Sequence, residues 1–319
     1  MNITTTIPGL VLAAGLCVAA TQAQALGRPS TGAQYAQLLS FSNAPGIGGS
    51  SFTVDEDLGD VDYDIWKIPL QHEFDVDGWD GKLILRGTLS YMTVDQGQRW
   101  LPGDSSEVID SEWKSYGGSI GAGVRVPLGK GFSFIPALGF GLASLENNAD
   151  FKGTLTNERI KPIADGTQYN WDMNATIFTG ALGLSYINDI GNDFDLDASA
   201  YYTYSYVSSF DSSTDFQDIG DSTNILNFRA DIGHPLGFSI AGYPMDGVLH
   251  LGNTTFVGSN SDVLGFSYFN EVGFSLRTNP QKLATQLHVP FSVSSLSVGV
   301  NAIFGDDISG WSMLFGYKF

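Results

Sequence analysis

The chain has 319 residues, 43% of them hydrophobic and only 15% charged, a balance that excludes intrinsic disorder and collagen. Fifteen Lys and Arg stand against 34 Asp and Glu, a formal net charge of −19, and no stretch gathers basic residues into a phosphate-binding face, so nucleic acid is not an expected partner. Glycine is abundant, at 39 residues, beside 13% aromatic residues, which points to an all-β protein.

At the N-terminus, residues 7–20 form an uninterrupted apolar run, too short to span a bilayer as a helix and the right size for the apolar region of a secretory signal. The small residues Ala23 and Ala25 suit a signal peptidase, which places a signal peptide over 1–25 and one mature barrel domain over 26–319. The leading MNITTT carries no Lys or Arg, which is atypical. Cys17 falls inside this leader without a lipid-attachment pattern around it. The mature chain then has no thiol, so disulfides, Cys metal ligands and Cys nucleophiles are excluded together.

Past residue 26 no apolar stretch is long enough for a transmembrane helix, so any membrane span must be built of strands. Period-2 alternation predicts twelve: 33–43, 61–74, 81–94, 113–127, 132–146, 171–187, 194–209, 223–234, 245–256, 262–277, 287–304 and 310–319. The first is ambiguous, because Gln and Ala within 31–41 suit a short helix in the lumen equally well. In 81–94, Leu83, Leu85, Leu89 and Tyr91 oppose Lys82, Arg86, Thr88 and Ser90. In 132–143, Phe132, Phe134, Leu138, Phe140 and Leu142 oppose Ser133, Ala137, Gly139, Gly141 and Ala143. In 262–277, Leu264, Phe266, Tyr268, Val272, Phe274 and Leu276 oppose Ser267, Glu271, Gly273, Ser275 and Arg277. A phase slip at Ser294-Ser295 predicts a β-bulge. The last segment sets Trp311, Met313, Phe315, Tyr317 and Phe319 against Ser312, Gly316 and Lys318.

Tight turns at 75–81, 128–131 and 188–193 alternate with long polar connections at 95–112, 147–170 and 210–222, the asymmetry of an outer-membrane barrel. A soluble β-sandwich also alternates, but its apolar faces need not end in aromatic belts such as Tyr202, Tyr204 and Tyr206, and the inward faces here read as small and polar. The fold class is therefore an all-β, antiparallel, up-and-down transmembrane barrel of about twelve strands.

The alternating C-terminal face Trp311, Met313, Phe315, Tyr317 and Phe319 resembles the assembly signal of bacterial outer-membrane proteins, which implies the barrel-assembly machinery as a partner. The stretches 136–147, 256–276 and 309–319 resemble the solitary outer-membrane autotransporter-type β-barrel proteins, a likeness that runs over roughly 32–319. It implies a translocator-like barrel in a Gram-negative outer membrane, among lipid and lipopolysaccharide. It carries no catalytic motif, cofactor or established transport substrate. With the first candidate strand so close to the expected cleavage point, no passenger is expected.

Strand parity sends Lys67, Lys82, Arg86, Arg125, Arg229, Arg277 and Lys318 into the lumen, beside Glu73, Asp195, Asp197, Asp231, Glu271 and His250. An unpaired Arg on the lipid face at the bilayer midplane would cost roughly 2–4 kcal/mol, which is the physical reason for that parity. This mixed lumen fits either a cross-linked structural barrel or a porin-like small-solute channel. The outer rim is expected to be acidic, from carboxylates in 55–64, 104–112 and 211–221, with divalent cations as a possible bridge to lipopolysaccharide. Asp75, Asp77 and Asp80 are spaced as in a calcium loop but lack its distal acid, so no metal site is assigned. An enzyme acting on lipid or peptide is the competing class. Its one assembly would be His250 with Asp231 and Ser267; His72 reads as lipid-facing, His234 as lying in a turn and His288 as starting a strand. No nucleophile-elbow or zincin motif occurs, so no enzyme is expected.

Overall fold

Strands of alternating character can present one face to an apolar surrounding and the other to a polar interior, and closing them on themselves removes every unpaired edge. The computed structural model, which describes residues 35–40, 48–55, 60–99, 106–213, 215, 218–258, 261, 263–278, 295–305 and 307–318, is such a closed antiparallel barrel. Its strands are β1 Gly49–Val54, β2 Val61–Val76, β3 Trp79–Arg99, β4 Val108–Gly129, β5 Phe132–Lys152, β6 Trp171–Gly191, β7 Phe194–Ser212, β8 Gly220–Ile240, β9 Tyr243–Val257, β10 Tyr268–Thr278, β11 Ser295–Gly305 and β12 Ile308–Lys318. Each pairs with its chain neighbour, and β1 closes the ring against β12, with Gly49 opposite Met313 and Val54 opposite Ile308.

The number of strands agrees with the sequence reading, but the first one does not lie where it was expected. Residues 35–40 within 33–43 are helical, and the closing strand is the later Gly49–Val54. The helix places Tyr35, Ala36, Leu38 and Leu39 in the interior. The expected signal peptide, the cleavage after Ala25, the phase slip at Ser294, His288 and Phe319 lie outside the described residues.

Tight turns close four hairpins at one end of the barrel. Lys130 and Gly131, Asn192 and Asp193, and Ala241 and Gly242 all take positive φ, the conformation that matches a two-residue turn to strand twist. Gly78 provides it in the β2–β3 hairpin, at φ 78°. At the other end the connections are shorter than expected, because β3 to β6 run 21 or 22 residues, about twice the 9–11 that cross a bilayer. Both ends of the expected loops 95–112 and 210–222 are strand, to Arg99 and from Val108 in the first and to Ser212 and from Gly220 in the second, and 147–170 is strand to Lys152 followed by a π-helical turn Thr156–Ile160 and a helical turn Lys161–Ala164. Asp62, Asp64, Asp110 and Glu112 therefore stand on strand ends rather than in loops. The loop end is not uniformly long, since β11 and β12 join between Gly305 and Ile308.

Candidate functional site: a divided lumen

The side-chain pattern inverts partway along individual strands. On β2 the inward residues Val61, Tyr63 and Ile65 are buried while Asp62 and Asp64 are exposed; from Trp66 onward the exposed outer residues are Trp66, Ile68 and Leu70, and the inner ones are Lys67, Gln71 and Glu73. On β6 the inner residues Trp171, Met173, Ala175 and Ile177 are apolar and buried, followed by Thr179, Ala181 and Ser185, while the outer face changes from Asp172 and Asn174 to Phe178, Leu182 and Leu184. The expectation of uniformly small, polar inner faces thus holds for the turn end and fails at the loop end. There the strands run on past the apolar outer band, and their apolar residues turn inward because water, not lipid, surrounds them.

These inward residues pack with helix 35–40 and the connection before β10 into one apolar plug. The Tyr35 ring lies 5.3 Å from Trp113 and 5.0 Å from Trp171, which are themselves 5.5 Å apart. Phe52 stacks on Tyr63 at 4.9 Å, and Phe266 meets Phe52, Tyr63, Phe256 and Phe269 edge-on or steeply tilted at 5.7–6.3 Å. Period-2 alternation alone makes Leu264 and Phe266 outward strand residues. They precede β10 and are buried in the plug. Among the described residues the Gln37 side chain is buried on this helix with no hydrogen-bond partner for its amide, and the hydroxyls of Ser40 and Ser115 are likewise buried without one.

Toward the turn end the interior opens into a cavity of about 790 Å³ lined by Lys67, Lys82, Arg86, Arg125, Asp197, Arg229, Asp231, His250 and Glu271. Asp195 and Arg277 also face inward and bind each other, and Arg277 reaches Asp246 at 3.3 Å. Several contacts cross the lumen rather than run along the wall. Arg125 on β4 donates to Glu73 on β2 at 2.7 Å and to Ser185 on β6 at 2.8 Å. Arg86 on β3 donates to Gln71 at 2.9 Å and to the Tyr201 hydroxyl on β7 at 3.1 Å, its guanidinium 5.2 Å from the Tyr201 ring centroid. Glu271 accepts from Ser312 at 3.2 Å and Asn301 at 3.4 Å, with Lys67 acting on it electrostatically. Tyr201, Gln71 and Ser275 were not singled out from sequence. Tyr201 shares the parity of Asp197 and Ser199, but the outward tyrosines at 202, 204 and 206 mask it.

His250 points inward, with Nδ1 2.7 Å from Asp231 Oδ1 and Nε2 2.7 Å from Ser275 Oγ. Ser275, not Ser267, completes the chain: register sets His250 opposite Gly273, so Ser275 is the next residue on that face, whereas Ser267 precedes β10. Arg229 Nη2 also lies 3.2 Å from the same Nδ1, and Ser275 is 1% exposed. His234 is within β8, not in a turn, and its ring lies 4.3 Å from Phe194. His72 lies 4.3 Å from Phe74 near the turn end.

At the loop end Asp60, Asp62, Asp95, Asp110, Glu112 and Asp150 line an open groove of about 530 Å³, and among the described residues no group of three converges as metal ligands. Beside it Glu107 accepts the Thr156 amide and hydroxyl, both at 2.8 Å, and the Leu155 amide at 3.2 Å, which together hold its carboxyl below the ordinary range. On β12, Trp311, Met313 and Phe315 are exposed on the outer face, and the Tyr317 backbone pairs with Leu296.

Comparison with known proteins agrees with this architecture. No curated protein matches the sequence. The structure resembles the transport unit of the Escherichia coli autotransporter AIDA-I (10% identity, 92% of this chain and 99% of that one, TM-score 0.53). It also resembles the β domain of the Bordetella autotransporter BrkA (15% identity, 84% and 94%, TM-score 0.50) and the translocator domain of NalP from Neisseria meningitidis (9% identity, 98% and 99%, TM-score 0.50). At such identities the likeness concerns the fold. Residues 55–319 match the solitary outer membrane autotransporter beta-barrel domain, and the chain therefore belongs to that family of bacterial outer-membrane barrels.

Proposed function

We propose that this barrel is a sealed structural element of the outer membrane, not an open channel. The observation that carries this reading is the apolar plug, in which Tyr35, Leu38 and Leu39 fill the loop end of the lumen against Trp171, Met173 and Phe266. A hydrated ion crossing it would lose its solvent among rings and aliphatic chains, with no charged side chain in the cluster to replace the lost contacts. The turn-end ion pairs then brace the wall beneath the seal. A porin-like role would require the plug to move.

The enzyme alternative rests on the Asp231, His250 and Ser275 chain. Ser275 is buried, and Nδ1 of His250 is shared between a carboxylate and a guanidinium, so the chain reads as a brace joining β8, β9 and β10. The exposed face of Trp311, Met313 and Phe315 is the part proposed to be read by the assembly machinery and then to meet lipid. The acidic groove is a surface on which divalent cations would screen the rim against anionic lipopolysaccharide.

Planar-bilayer recording of refolded protein tests the sealed reading. The wild type is expected to give no stepwise current, and the double substitution Leu38→Ser and Leu39→Ser to give openings. Regular ohmic steps from the wild type would overturn the proposal.

A further inference from the structure

The charges lining the turn-end chamber are not mixed around its circumference. On β2 to β4 they are Lys67, Lys82, Arg86 and Arg125 against the single carboxylate Glu73. On β7 to β10 they are Asp197, Asp231 and Glu271 against Arg229, with His250 between. Among the described side chains that line the chamber, the arcs between these walls contribute uncharged residues: Gly139, Thr179 and Ala181 from β5 and β6, and Ser50, Asn301 and Ile303 from β1 and β11. In the ring of twelve, β3 and β9 are diametrically placed, so the lining is net basic on one side and net acidic on the other, with Glu271 leaning over β11 and β12 toward Lys67. Nearby carboxylates account for Lys82 through Asp75, Arg125 through Glu73 and Arg229 through Asp231, whereas Arg86 donates to the neutral oxygens of Gln71 and Tyr201.

Opposed walls in a low-dielectric tube create a transverse field, which orients a dipolar solute and favours one carrying both charges over one carrying either alone. We propose that the chamber binds an elongated zwitterion of the short-peptide class, its carboxylate against the basic wall and its ammonium against the acidic wall. The cavity, at about 790 Å³, falls within the range of small-molecule sites. Arg86 is the anchor for the carboxylate, because the groups it donates to, the Gln71 amide oxygen and the Tyr201 hydroxyl, are neutral. The wall reaches solvent at the turn end, where Ile187 is 49% exposed.

Calorimetric titration of the refolded barrel in detergent with triglycine, N-acetyltriglycine and triglycinamide tests this, since the three probes share a backbone and differ in which end is charged. Triglycine is expected to bind about tenfold or more tightly than either single-ended probe. Arg86→Gln should weaken triglycine and N-acetyltriglycine but not triglycinamide, and Asp197→Asn should weaken triglycine and triglycinamide but not N-acetyltriglycine. If Arg86→Gln does not refold, Lys82→Gln carries the same expectation. Equal affinities for the three probes, or no binding by any, would overturn the proposal. Equilibrium binding is read without current, so its failure leaves the sealed-barrel reading standing, and the reverse also holds.

Discussion

The two ends of the lumen are built from the same twelve strands and obey opposite rules. At the loop end Met173 and Ile177 pack inward among rings and aliphatic chains, whereas a few residues along the same face of β6, Ala181 and Ser185 border a charged cavity. The difference follows from what lies outside the wall. Where Phe178, Leu182 and Leu184 face an apolar surrounding, the inner face is free to be polar; where Asp172 and Asn174 face water, burial has to be found inside. One strand therefore belongs to two kinds of protein, a membrane barrel below and a water-soluble one above.

The sharpest way to break this comparison is to place the same carboxylate in both regions. Met173→Asp puts an unpaired charge among fully buried residues and should cost more than about 3 kcal/mol, while Ala181→Asp on the same face should stay within about 1 kcal/mol. Urea titration of the two variants in detergent checks this, and comparable losses would dissolve the distinction.

A smaller effect of opposite sign is expected within the plug. The Gln37 amide is buried without a hydrogen-bond partner, so Gln37→Leu should stabilise the barrel by about 1 kcal/mol or more, read as a raised unfolding midpoint. A lowered midpoint would mean that the amide is satisfied in solution.

The smallest effect concerns the rim. The folded Glu107 carboxyl titrates below its unfolded value, so its hold on the β5–β6 connection is fully present above the unfolded pKa and lost as pH falls through the lower, folded one. Proteolysis of 153–170 in refolded protein, followed with an acid-active protease, should accelerate across that acidic window. In Glu107→Gln it should be fast at every pH.

Much of the fold was legible because period-2 alternation survives in single strands: Leu83, Leu85 and Leu89 against Lys82, Arg86 and Thr88 needs no partner to be read. Parity sends Arg86, Arg125, Arg229 and Arg277 to one face, and in the structure they meet Tyr201, Ser185, Asp231 and Asp195 respectively. The plug was not legible, for a physical reason. Val61, Tyr63 and Ile65 alternate as well as Trp66, Ile68 and Leu70 do, and alternation states that two faces differ without saying which one water touches. The inversion at Trp66 and Lys67 appears only as two apolar residues of opposite parity side by side, Ile65 and Trp66, and Asp62 and Asp64 read equally as part of an acidic rim and as the start of strand 61–74. The partner of His250 was lost in the same way, since Ser267 and Ser275 share parity and only register against β9 separates them.

The central claim, that one continuous inner face is dry at one end and wet at the other, is tested most directly by cysteine scanning along β6. The sequence holds one cysteine, Cys17, which Cys17→Ser removes. Single substitutions Met173→Cys, Ala175→Cys, Ala181→Cys and Ile187→Cys in refolded, reconstituted protein would then be exposed to a small, charged, membrane-impermeant thiol reagent. The account predicts rapid labelling at 181 and 187 and protection at 173 and 175, with the step between 175 and 181. Uniform labelling at all four positions would contradict it.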